Sequence, residues 1–61
     1  MSLNYREAVK LIRRNGGRFI WHGARHDIFE TKDGKEIQVP RHAKDLSSGV
    51  ERDIKEKLGM R

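Results

Sequence analysis

The sequence Lys32-Asp33-Gly34-Lys35 is the strongest constraint on this chain. It separates two runs rich in β-branched and aromatic residues, His26–Thr31 ("HDIFET") and Glu36–Pro40 ("EIQVP"). An Asp-Gly pair between two such runs marks a β-hairpin. Its loop length fixes which residues face the core, because a slip of one position moves every side chain to the other face. A two-residue turn at Asp33-Gly34 would pair Ile28 with Val39. His26 would then share the core side with Ile28, Ile37 and Val39. A three-residue loop, Lys32-Asp33-Gly34, with glycine in the left-handed conformation pairs Phe29 with Ile37 instead. Phe29, Ile37 and Val39 then face inward, and His26, Ile28, Glu36 and Gln38 face outward. The second register is preferred because it buries the larger aromatic and leaves Glu30 out of the core. Its cost is Asp27, which then sits beside Val39 near the end of the buried face.

The flanking segments supply the rest of the fold. Between Asn4 and Asn15, Tyr5, Ala8, Val9 and Ile12 fall at helical spacing. Asn4 and Glu7 form a capping-box pattern, and Gly16-Gly17 stops the helix. Arg18–His22 ("RFIWH") reads as a first strand, joined to the second by Gly23-Ala24-Arg25. Pro40 ends the third strand, since proline cannot donate to a ladder. After a polar connector, a second helix starts at Ser47 or Ser48 and runs to Leu58, with Ser48 and Glu51 as its capping box and Gly59 as its stop. The expected architecture is α+β in the order α-β-β-β-α. A three-stranded antiparallel sheet carries both helices on one face and leaves its other face open. The 61 residues form a single domain, 1–61.

Composition narrows the function. Only 34% of residues are hydrophobic and there is no cysteine, so neither a disulfide nor a thiolate metal site can staple the fold. A chain of this size buries only roughly 60% of its unfolded surface. Such a domain often gains stability from a partner or from self-association. No apolar run approaches a membrane span, and a cytosolic protein is the default reading. The net charge of +5 attracts polyanions, nucleic acid first among them.

The histidines stand at 22, 26 and 42, with no recurring metal-ligand spacing to Asp27 or Glu30. No metal or cofactor is expected. No serine lies in an elbow motif, and no phosphate loop is present. Acid-base chemistry fits better. RNA carries its own nucleophile, the 2′-hydroxyl beside each phosphate. A histidine with a few Arg or Lys can cleave it without metal. His26 on an open sheet face, beside Arg25 and near Arg41, His42 and Lys44, has those ingredients. On the residues alone, an exposed strand residue is the simpler reading of His26. His22 reads as an ordinary strand-end residue, and Trp21 as a packing aromatic rather than a base-stacking platform. Lys55, Lys57, Arg13 and Arg14 read as solvated helix faces.

The segments "GARHDIF", "KDGKEIQVPRHAKDL" and "GVERDIKEKLG", in this order, resemble the HicA-type toxins, small mRNA interferases with a fold similar to the double-stranded-RNA-binding domain. The resemblance runs from the first helix to Gly59. Gly23 matches the family glycine and His26 the histidine taken as catalytic. Asp33 and Gly34 match the turn, and Val39, Pro40 and His42 the strand-end motif. Two positions depart: the family serine is Ala24, which removes a hydroxyl, and the position often held by a first histidine is Arg25. The resemblance implies metal-independent cleavage of mRNA by His26. It implies inhibition by a HicB-type antitoxin in a hetero-oligomer, while RNA contacts from Arg25, Arg41, His42 and Lys44 are expected from their charge. The runner-up is a non-catalytic RNA-binding module of the same fold.

Overall fold

The computed structural model describes residues 3–41 and 44–60. Its elements are α1 (Tyr5–Arg14), β1 (Arg18–His22), β2 (His26–Glu30), β3 (Glu36–Pro40) and α2 (Ser48–Lys57). The three strands form one antiparallel sheet in the order β1-β2-β3.

Capping sets the helix limits. Asn4 Oδ1 accepts from Glu7 N at 2.8 Å and Glu7 Oε1 accepts from Asn4 N at 3.1 Å, the reciprocal box expected from the sequence. At the other end, Gly16 takes φ +84°, Gly17 N donates to Ile12 O and Gly16 N donates to Arg13 O. These two bonds make a Schellman motif, which absorbs carbonyls the helix leaves unpaired. The last turn of α2 repeats it, with Gly59 N donating to Glu56 O and Met60 N to Lys55 O. At the start of α2 the first of the two expected positions is taken, and the Ser48–Glu51 capping box does not form. Ser47, not Ser48, is the N-cap, its hydroxyl accepting from Val50 N at 3.2 Å. Glu51 is drawn away from the cap and accepts from Leu3 N and Lys55 Nζ instead.

The β2–β3 loop takes the three-residue form. Thr31 N donates to Lys35 O, Gly34 N donates to Thr31 O, and Gly34 has φ +85°. Thr31 Oγ1 accepts from Asp33 N and Lys35 N, which ties the loop down. Phe29 therefore pairs with Ile37, Ile28 with Gln38 and Asp27 with Val39. Phe29, Ile37 and Val39 pack with Ala8 and Ile12 of α1 and Ile54 of α2, so both helices cover one sheet face. Leu46, read as part of a polar connector, completes this core at 2% exposure. Its N–H donates to Leu3 O, which ties the chain before α1 to the chain before α2.

Gly17 is required for space. A Cβ there would stand 2.4 Å from Ile12 Cγ2 and 2.9 Å from Ile12 O. Ile12 is fully buried and its carbonyl is fixed by the helix stop. Gly17→Ala is expected to destabilise the fold by about 1–3 kcal/mol through overpacking. A urea midpoint close to that of the unmodified chain would contradict this.

Candidate active groove and the Asp27 cluster

The first strand is not regular. Phe19 pairs with Phe29 but Trp21 pairs with Ile28, so Ile20 is an extra residue and β1 carries a bulge. A regular ladder from Phe19 would set Trp21 opposite Asp27 and His22 opposite His26. The bulge exchanges the faces. His22 now lies opposite Asp27 on the helix side, and Trp21 lies opposite Ile28 on the outer side.

Asp27 is 2% exposed in a chain with a thin core, so its carboxylate needs partners. It has three. His22 Nδ1 lies 2.6 Å from Oδ1, Arg41 Nη1 donates to the same oxygen at 3.1 Å, and the Tyr5 hydroxyl donates to Oδ2. Burial alone would raise the Asp27 pKa, but the bonds from Tyr5, His22 and Arg41 outweigh it and hold the carboxyl below its ordinary value. Burial, followed by the bond to Asp27, pushes the Tyr5 hydroxyl up to about 12. An ionised carboxylate only accepts, so His22 carries its hydrogen on Nδ1. The His22 side chain is 68% exposed, its ring 4.8 Å from that of Phe19.

Arg41 does a second job. Nη1 also donates to Gly23 O at 2.8 Å, and Nη2 donates to Ala24 O at 2.9 Å. Its own N–H donates to Arg25 O. Arg41 thus clamps three consecutive carbonyls of the β1–β2 turn, while Asp27 holds the guanidinium in place. Gly23 N closes the turn on His26 O at 2.8 Å, and a Cβ at Gly23 would meet that oxygen at 2.7 Å. The family glycine is here a close-approach position.

His26 opens β2 on the outer side of the sheet and is half-buried. It lines an open groove of about 370 Å³ between the sheet and α2, together with Gln38, Pro40, Val50, Asp53 and Lys57. Lys57 Nζ pairs with Asp53 Oδ2 at 3.2 Å on the helix wall. An exposed i, i+4 pair is worth only a few tenths of a kcal/mol, so an arriving anion can take the ammonium at about that cost.

Of the residues singled out in the sequence, Arg25 is exposed at the tip of the β1–β2 turn and Lys44 is exposed ahead of α2. Arg41 lies on the Asp27 side with its guanidinium engaged, not beside His26. Asp33 and Gly34 form the hairpin turn, and Pro40 pairs with His26 and walls the groove. His42 lies outside the described residues. Three readings change. His22 is more than a strand end, being tied to a buried carboxylate. Lys57 is a groove residue rather than a plain solvated face. Trp21 does not pack, since it is 59% exposed. The one available sequence signal was Asp27 itself. A carboxylate at an inward strand position demands donors, and Tyr5 on the buried stripe of α1 was within reach.

An α-β-β-β-α sheet-and-helix domain with a histidine groove on one side and a buried carboxylate on the other defines a small α+β class with a double-stranded-RNA-binding-like fold. The family model described as "HicA toxin of bacterial toxin-antitoxin" matches residues 5–60. The chain belongs to the HicA toxin family, and its role is that of a toxin in a toxin–antitoxin system. No curated protein matches it. Among the described residues, no helix is long and apolar enough to cross a membrane.

Proposed function

We propose that the chain is a metal-independent endoribonuclease that cuts mRNA in the cytoplasm, with His26 as its general acid or base. The observation that carries this reading is the position of His26, half-buried in a groove whose opposite wall presents the Lys57 ammonium. In the reaction, the 2′-hydroxyl loses its proton, O2′ bonds to phosphorus, and the P–O5′ bond breaks. The products are a 2′,3′-cyclic phosphate and a 5′-hydroxyl. His26 supplies one of the two proton transfers at the phosphate. Lys57, the exposed Arg25 and Lys44, and His42 hold phosphate oxygens, and the first turn of α2 adds its positive end. Arg41 contributes chiefly by fixing the turn that delivers His26. A HicB-type antitoxin is the expected partner, and an acidic surface on it would suit the net charge of +5.

A second reading is favoured by one observation. His22, not His26, is the histidine oriented by a carboxylate, the arrangement that sets a tautomer for proton transfer. It would put the chemistry on the helix side of the sheet.

Purified protein incubated with single-stranded RNA in EDTA should yield fragments ending in cyclic phosphate. Intact RNA that is nonetheless bound would leave only an RNA-binding module. Cleavage that stops with EDTA would remove the metal-independent mechanism.

A further inference from the structure

We infer that Trp21 is a stacking platform for an unpaired nucleobase, so that the groove takes single-stranded RNA despite a fold like that of double-strand binders. This rests on the proposed reaction at His26 and names the form of its substrate.

Trp21 is the chain's single tryptophan, and 59% of it is exposed. A buried tryptophan would be among the largest apolar contributions available to a 61-residue core. The bulge at Ile20 turns it out instead, and the bond between His22 and Asp27 holds that register. Of its apolar neighbours on β1, Ile20 stands beside it at the bulge, 44% exposed. Phe19 points to the helix side, where its ring meets Phe29 edge-on at 5.6 Å.

The side of the sheet to which Trp21 turns is the side of His26. Trp21 pairs with Ile28, and Ile28 with Gln38, a groove residue. His26 stands two positions from Ile28 on β2, which makes it the diagonal neighbour of Trp21, roughly 7–8 Å away. Ile28 is 9% exposed between Trp21 and Gln38 in that row, so the platform rests on a firm base. Cations lie to either side, Arg18 on the outer face of β1, paired with Glu30 at 2.9 Å, and Lys57 across the groove, paired with Asp53; both pairs are exposed and yield to an arriving phosphate at little cost. A flat aromatic on a sheet face, flanked by positive charge, is how single-strand binders hold bases, and duplex RNA offers no free base face. A base on Trp21 would leave its neighbouring phosphate at His26.

The lone tryptophan reports on its own occupancy. A 2′-O-methyl single-stranded oligonucleotide, which cannot be cut, should quench its fluorescence saturably, and the matching 2′-O-methyl duplex should quench far less. Trp21→Leu should weaken binding of that single strand, and raise KM for cleavage of the unmodified one, by roughly 5- to 150-fold. The smaller part of the loss should fall in kcat. Trp21→Phe, which keeps a ring, should recover most of it. Far-UV circular dichroism establishes that both variants fold. Equal quenching by duplex, or an unchanged KM in Trp21→Leu, overturns the platform while cleavage by the unmodified chain keeps the nuclease reading. Saturable quenching without cleavage does the reverse. A Trp21→Leu variant that loses only antitoxin binding would make the residue a protein contact and overturn the proposal.

Discussion

His26→Ala is expected to lower the rate of RNA cleavage by on the order of 10²–10⁴-fold, the range a single positioned acid or base contributes. The fold should survive, because the ring lines an open groove and is outside the main hydrophobic cluster. Single-turnover cleavage in EDTA, read beside far-UV circular dichroism, makes the measurement. His22→Gln in the same assay should retain activity within a few-fold. An inactive His22→Gln and an active His26→Ala would transfer the chemistry to the Asp27 side. The comparison is informative because the strands send the two rings to opposite faces, so neither can readily stand in for the other.

Asp27→Ala is expected to leave the chain largely unfolded at 25 °C. The substitution strips the acceptor from Tyr5, His22 and Arg41 together, and leaves the Arg41 guanidinium without its carboxylate. Removing one partner of a buried ion pair costs about 3–5 kcal/mol. A domain of this size has about 3–9 kcal/mol in total, from 0.05–0.15 kcal/mol per residue. A urea titration followed by circular dichroism would show little or no folded baseline. The same carboxylate predicts acid sensitivity. Its folded pKa is depressed, so it contributes stability above the ordinary carboxyl value near 3.9, and that contribution disappears as pH falls through the folded pKa. Asp27→Asn should therefore be less stable than the unmodified chain at pH 6, with the gap closing below about pH 4. A gap of constant size down to pH 2 would show that Asp27 is not the group that titrates.

Much of the fold is readable in the residues because its punctuation is local. Asn4, Glu7, Gly16, Gly34 and Gly59 each act within a few positions, and each takes the part its spacing implies. The hairpin register was decidable because only one choice buries Phe29. The capping box expected of Ser48 and Glu51 is absent, and Glu51 instead accepts from Leu3, 48 positions away, a contact with no local trace. The bulge in β1 is harder still. "RFIWH" is apolar or aromatic on both faces, so its alternation marks no register, and Asp27 selects one by drawing His22 to it. The clamp from Arg41 to the turn spans 17 and 18 positions and leaves no local trace. The resemblance singles out His26, where the residues alone favour an exposed strand position, and neither shows the groove around it, because Lys57 and Val50 come from a helix whose placement only the assembled core determines.

The clamp and the groove bear on how the protein is made. The turn that presents His26 is closed by a side chain 15 positions later, and the far wall of the groove comes from the last helix. A chain still emerging from the ribosome has His26 long before it has either. The growing polypeptide therefore holds His26 without a finished groove, and a product terminated ahead of α2 would carry the histidine without the wall that faces it.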